Sequence, residues 1–162
     1  MIVLVMGVSG SGKTTIGEAL ARELGFTYMD ADDYHPAASV AKMAAGVPLQ
    51  DSDRWPWLEK INEELFKIQQ RGESAVVGCS ALKQAYRERV ARGLRDFEIV
   101  YLRGEFKLIH SRIAARKHRF MPATLLQSQF DTLEPPAHAI EVDVSAPVES
   151  SLSKIRKQLP QR

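Results

Sequence analysis

Residues Gly7-Val8-Ser9-Gly10-Ser11-Gly12-Lys13-Thr14 set glycines, a lysine and a hydroxyl at the spacing G-x-x-x-x-G-K-[ST]. That spacing is the pattern of a phosphate-binding loop. Glycines let the backbone close around an anion without Cβ clashes. Loop amides and the positive end of a following helix then point at the phosphates. Lys13 can reach the β- and γ-phosphates, the Thr14 hydroxyl can ligate Mg²⁺, and Thr15 joins the nucleotide-binding residues. The chemistry is phosphoryl transfer or nucleotide hydrolysis.

Further groups follow the loop. Asp30-Ala31-Asp32-Asp33 supplies carboxylates. Asp32 is the candidate to hold an acceptor hydroxyl, take its proton, or bind Mg²⁺ through water. Phosphoryl transfer has a loose transition state, so positioning and charge neutralisation matter more than a strong base. His35, beside this group, is a candidate acceptor contact. Arg54, within Asp51-Ser52-Asp53-Arg54-Trp55-Pro56-Trp57, can hold an acidic acceptor through paired hydrogen bonds. Trp57 is expected in the core, and Asp53 or Ser52 at a helix cap. Ser80, Lys83 and Arg87 are acceptor-side candidates, with Lys83 and Arg87 on one helix face. Cys79 has no histidine base beside it and reads as a packing residue. Arg112, Arg116 and Arg119 are spaced by four and then three. They can neutralise phosphate oxygens or stack on adenine. A lid over about residues 116–122, closed by Phe120-Met121-Pro122, would exclude water.

These groups need a scaffold. The apolar run Ile2-Val3-Leu4-Val5-Met6 predicts a first strand. A helix carrying Ile16, Leu20 and Leu24 follows and stops at Gly25. Residues 26–29 predict a second strand and 36–45 a short helix. Residues 56–71 predict a longer helix with Pro56 in its first turn. Residues 75–78 form a third strand, 83–92 a helix and 97–102 a fourth strand. Helices over 106–115 and 124–132, a fifth strand over 139–144 and a last helix over 148–159 complete the chain. The alternation predicts a five-stranded parallel sheet with helices on both faces. Ligands of such sheets sit beyond the carboxyl ends of the strands. The loop, the acidic group, and Ser80 with Lys83 should therefore gather along one edge.

Bulk properties narrow the field. A chain of 162 residues, 44% hydrophobic and 26% charged, fits one soluble globular domain spanning 1–162. A net charge of +2 gives no electrostatic reason for a nucleic-acid partner. The single cysteine excludes an intrachain disulfide, and the scattered histidines offer no zinc spacing. No run is long enough for a membrane span or a signal peptide, so the expectation is a cytoplasmic protein.

Several segments together resemble the gluconokinase family, small P-loop kinases related to shikimate and adenylate kinases. They are residues 6–14; Asp30 to Pro36; Lys42 to Leu49; Asp51 to Leu58; Cys79 to Lys83 with Tyr86-Arg87; Met121-Pro122 through Leu125-Leu126 to Ser128-Gln129-Phe130; and Thr132-Leu133-Glu134. The resemblance covers essentially the whole chain. It implies a nucleoside-monophosphate-kinase-like α/β fold. It also implies ATP-dependent phosphorylation of D-gluconate at the 6-hydroxyl with Mg²⁺, a homodimer, and a role in gluconate utilization. The family often reads Asp-Gly-Asp where this chain has Asp30-Ala31-Asp32. Its lid often reads Gly-His-Phe where this chain has His118-Arg119-Phe120, so His118 and Arg119 both stand as candidates for the family's lid histidine. A shikimate kinase is the nearest enzyme alternative, but that family carries a glycine triplet where this chain has Cys79-Ser80-Ala81. A nucleotide switch is the non-enzyme alternative, and the N-K-x-D segment of a guanine-reading switch is absent.

Overall fold

The computed structural model describes residues 1–116 and 122–161. Five strands form one parallel sheet: β1 (Ile2–Met6), β2 (Thr27–Asp30), β3 (Ala75–Gly78), β4 (Phe97–Arg103) and β5 (Ile140–Asp143). Their spatial order is β2-β3-β1-β4-β5. The chain leaves β1 toward β2, returns through β3, and crosses to β4 on the other side of β1. β1 is thus the centre of the sheet, and all five of its residues are fully buried. Its alternating side chains feed two cores. Val3 and Val5 pack with Leu20, Ile109, Leu126, Leu152 and Ile155 on one face. Ile2, Leu4 and Met6 pack with Leu58, Ile61, Leu65 and Val90 on the other.

The helices follow from those faces. α1 (Lys13–Leu24), α5 (Phe106–Ala114), α6 (Ala123–Thr132) and α7 (Val148–Gln158) bury residues in the first core. α3 (Asp51–Gln70) and α4 (Gln84–Ala91) bury theirs in the second. α2 (Ala37–Ala44) stands on the acidic side of the sheet edge, after a 3₁₀ turn over Ala31–Tyr34.

One boundary departs from expectation. The long helix begins at Asp51, not at Pro56, so Pro56 lies inside it. Proline removes the hydrogen bond to the carbonyl four residues back and crowds it. That carbonyl belongs to Ser52. Both Ser52 and Pro56 are exposed, so water can meet the freed group. The start is set instead by a reciprocal cap. The Gln50 N–H donates to Asp53 Oδ2 at 2.9 Å, and the Asp53 N–H donates to Gln50 O at 3.0 Å. Lys42 Nζ of α2 donates to both Asp53 oxygens at 2.9 and 3.0 Å, tying α2 to the start of α3.

The register brings the strand ends into line. Val5 pairs with Gly78, and Gly78 pairs with Asp30. The segments leaving β1, β2 and β3 therefore emerge side by side, as the parallel alternation predicts. The Tyr28 ring fits beside β3 because two neighbours lack a Cβ. A Cβ on Gly17 would lie 2.6 Å from the ring, and one on Gly78 would lie 2.7 Å from the hydroxyl. Gly78→Ala is expected to cost about 1–3 kcal/mol in urea unfolding, the usual scale of overpacking. Tyr28→Phe in the same chain should recover most of that loss. Parental stability of Gly78→Ala alone would contradict this packing.

Candidate functional site

The turn from β1 into α1 is built for an anion. Gly12 takes the left-handed conformation at φ 98° as the N-cap of α1. No side chain caps this helix start, and its first turn carries no acid. The orphan amides and the positive helix end are left open to a negatively charged ligand. Gly10, at φ 80°, packs so closely on α5 that a Cβ would lie 2.6 Å from Ile113. Gly7, Val8, Ser9, Ser11, Thr14 and Thr15 complete the loop and the first helical turn, with Thr14 and Thr15 exposed.

Lys13 Nζ donates to Gly7 O and Val8 O, both at 3.0 Å. Burial pushes its ammonium below the usual lysine range, and the carboxylates of Asp32 and Asp30 pull the other way. Arg116 adds to the downward push. The strand register sets the end of β2, with Asp30 and the turn that carries Asp32, beside the segment that leaves β1 for Lys13. Asp30 is held above the usual carboxylate range, first by burial and then by its acidic neighbours, while Lys13 opposes that rise.

The acidic turn is anchored from below. The Asp32 N–H donates to Asp30 Oδ1 at 2.9 Å, which closes the turn. Trp57 Nε1 donates to Ala31 O at 2.7 Å, and Trp57 is 4% exposed, in the core as expected. The His35 ring stacks on Trp57 with centroids 4.0 Å apart. Its side chain is 5% exposed, and its Nε2 lies 3.7 Å from Asp32 Oδ1. His35 therefore reaches the site beneath Asp32, with its ring face committed to the indole.

A second cluster stands where α3 meets α4. Asp51 accepts from the Tyr86 hydroxyl and from Arg54 NH1, the latter at 3.4 Å. Lys83 Nζ lies 3.9 Å from Asp51. The Arg54 and Lys83 cations sit over the Tyr86 ring at 5.4 and 5.7 Å. The structure thus brings Arg54 and Lys83 together, with part of each side chain exposed. Ser80 follows β3 on the same edge, half-buried. Burial pushes the Cys79 thiol up to about 12, which removes it as a nucleophile.

Arg87, expected beside Lys83 as an acceptor contact, is 3% exposed. NH1 donates to Ala81 O at 2.8 Å and Leu82 O at 3.1 Å. NH2 donates to Glu134 O at 2.9 Å and Gln84 Oε1 at 3.2 Å. NH1 and NH2 thus brace the loop after β3, where Ala81 adopts the uncommon φ of 45°, while the buried Nε has no hydrogen-bond partner. Arg112 and Arg116 are exposed at the end of α5, and the Arg116 N–H donates to Ile113 O at 3.1 Å. Arg119, His118 and the body of the expected lid lie outside the described residues. Sequence reasoning passed over Asp30 and Gln129 as site residues. Asp30 was readable as the first acid after β2. Gln129 bonds to Ser9 across 120 residues, and no local pattern marks such a contact. Among the described residues, no group of three or more His, Cys, Asp or Glu could hold a metal ion. No helix among them is long and apolar enough to cross a membrane.

Arg87→Met is expected to lower stability by about 3 kcal/mol or more, because buried carbonyls lose their donors. Urea unfolding checks this. A variant of parental stability with impaired acceptor affinity would return Arg87 to the acceptor site.

Comparison with known proteins gives a consistent picture. The AAA domain family matches residues 2–136. A probable gluconokinase of Mus musculus is 44% identical, over 95% of this chain and 92% of that protein. The thermoresistant gluconokinase of Escherichia coli (strain K12) is 38% identical, over 96% of this chain and 94% of that protein. The crystal structure of a gluconokinase from Sinorhizobium meliloti 1021 superposes with a TM-score of 0.85 at 40% identity, covering 94% of this chain and 87% of that one.

Proposed function

The chain belongs to the gluconokinase family, and we propose that it transfers the γ-phosphoryl group of ATP to the 6-hydroxyl of D-gluconate. The observation that supports the reading is the strand register, which brings the end of β2, with Asp30 and the turn carrying Asp32, level with the bare, lysine-bearing start of α1. A phosphate-binding cradle faced by carboxylates suits transfer to a hydroxyl acceptor better than binding alone.

The roles follow from position. The amides of the 7–14 loop and of Thr15 take the phosphates. Lys13 exchanges its carbonyl partners for phosphate oxygens and neutralises charge that builds there. Asp32, on an exposed turn anchored by Trp57, orients the acceptor hydroxyl and receives its proton. Arg54 and Lys83, with Ser80 nearby, take the carboxylate and hydroxyls of the sugar acid. Arg116 supports the phosphates and Arg112 the adenine.

The donor set also fits Mg²⁺. That ion keeps most of its waters and takes few protein ligands beside substrate phosphates, so a hydroxyl with nearby carboxylates suffices. Thr14 would hold it, and when bound it neutralises phosphate charge. The family resemblance further supports a cytoplasmic homodimer, which a solution mass measurement checks.

A coupled ADP-release assay over gluconate, shikimate, AMP and other sugar acids tests the reading. Turnover is expected with gluconate and Mg²⁺, and preference for shikimate or AMP would refute it. Lys13→Ala should keep the fold and lose roughly 10²-fold or more in rate. A folded variant with near-normal turnover would remove Lys13 from the chemistry. Asp32→Asn should lower kcat by about 10²-fold while changing ATP affinity little. If ATP affinity collapses and kcat holds, the carboxylate serves the metal instead.

A further inference from the structure

α6 touches both halves of the site. Near its middle, Gln129 meets the phosphate loop: the Ser9 N–H donates to Gln129 Oε1 at 2.8 Å, and Gln129 Nε2 donates to Ser9 Oγ at 3.1 Å. One amide side chain thus reads the backbone and the side chain of a single loop residue. Just past the helix, Glu134 meets the acceptor-side loop. Its N–H donates to Leu82 O at 2.8 Å, and its Oε1 accepts from the Gln84 N–H at 2.8 Å. Its carbonyl accepts from Arg87 at 2.9 Å. Lys83 sits between the two bonded residues of that loop. One turn before Gln129, Leu126 is fully buried, and between the anchors Leu133 packs against both cores.

We infer that α6 is a strut coupling the nucleotide loop to the acceptor loop, with Gln129 as the positioning residue at its nucleotide end. An acceptor that orders residues 80–84 also orders Glu134, and through α6 the position of the Gln129 amide. The Ser9 turn is then held ready before the nucleotide arrives, and less ordering remains to oppose its binding. Linkage makes the effect reciprocal: nucleotide bound at the loop tightens the acceptor by the same factor. Gln129 touches no reacting atom in this account. It acts through the loop.

The inference rests on the reading of residues 7–14 as the ATP site and of residues 80–84 as part of the gluconate site. The test is calorimetric titration of the whole protein with a non-hydrolysable ATP analogue and Mg²⁺, with and without saturating gluconate. The parent is compared with Gln129→Met, which keeps the side-chain length and loses both hydrogen bonds. Gluconate is expected to tighten the analogue several-fold in the parent. Gln129→Met should weaken analogue binding by about tenfold, the scale of two lost hydrogen bonds. The gluconate effect in Gln129→Met should fall to near unity. Ser9→Ala removes only the Oγ bond and should give a smaller change in the same direction. It also serves if Gln129→Met does not fold. A role in packing alone would lower the melting temperature and leave the ratio of affinities with and without gluconate unchanged. That unchanged ratio, or parental analogue affinity in Gln129→Met, overturns the inference. A parent that binds no analogue at all would instead overturn the ATP reading.

Discussion

Lys13 carries a cation into a place where water reaches it poorly. Removing an ammonium from water is costly unless it is paired and hydrogen-bonded. That cost is offset by two backbone carbonyls of its own loop and by the field of Asp32 and Asp30. Every part of the arrangement depends on keeping those groups around one point. The carbonyls need the loop closed, which needs Gly10 against Ile113 and Gly12 in the left-handed region. The carboxylates need β2 to end level with β1, which the pairing of Asp30 with Gly78 and of Gly78 with Val5 secures.

The acceptor side is held by a different logic. The acidic turn is short and exposed, and would not keep a fixed place by itself. Trp57 and His35 give it one. The indole hydrogen-bonds Ala31 and stacks on His35, so α3 carries the turn on its first buried residue. The other acceptor segment, after β3, includes a residue in an uncommon conformation. Arg87 holds that segment by spending its donors on the Ala81 and Leu82 carbonyls. A buried charge with this many acceptors serves position. It is a different task from the one proposed for Arg54 and Lys83, which stay partly in solvent.

Much of this is legible in the sequence alone. The phosphate-loop spacing, the apolar run of β1 and the strand–helix alternation carried the sheet and the edge where ligands gather. These signals are local, and their physics is local too. The start of α3 was misplaced because Pro56 resembles a first-turn proline. Its tolerance in the second turn depends on Ser52 facing solvent, which only the folded helix reveals. The burial of Arg87 is not legible from its spacing, because a separation of four places two side chains on one helix face without saying which one turns inward. Gln129 stands in a segment that carries the family resemblance, but nothing local names its partner Ser9. Its partner lies at the far end of the chain, and the two meet only through the sheet.

The central claim is that the carboxylate of Asp32 and the phosphate loop meet the same acceptor hydroxyl from opposite sides. A crystal structure with a non-hydrolysable ATP analogue, Mg²⁺ and gluconate measures this directly. The account predicts the 6-hydroxyl within hydrogen-bond distance of Asp32, roughly 2.6–3.2 Å, and aimed in line at the γ-phosphorus. Gluconate bound with its 6-hydroxyl away from Asp32, or with another hydroxyl in line with the γ-phosphorus, would contradict it.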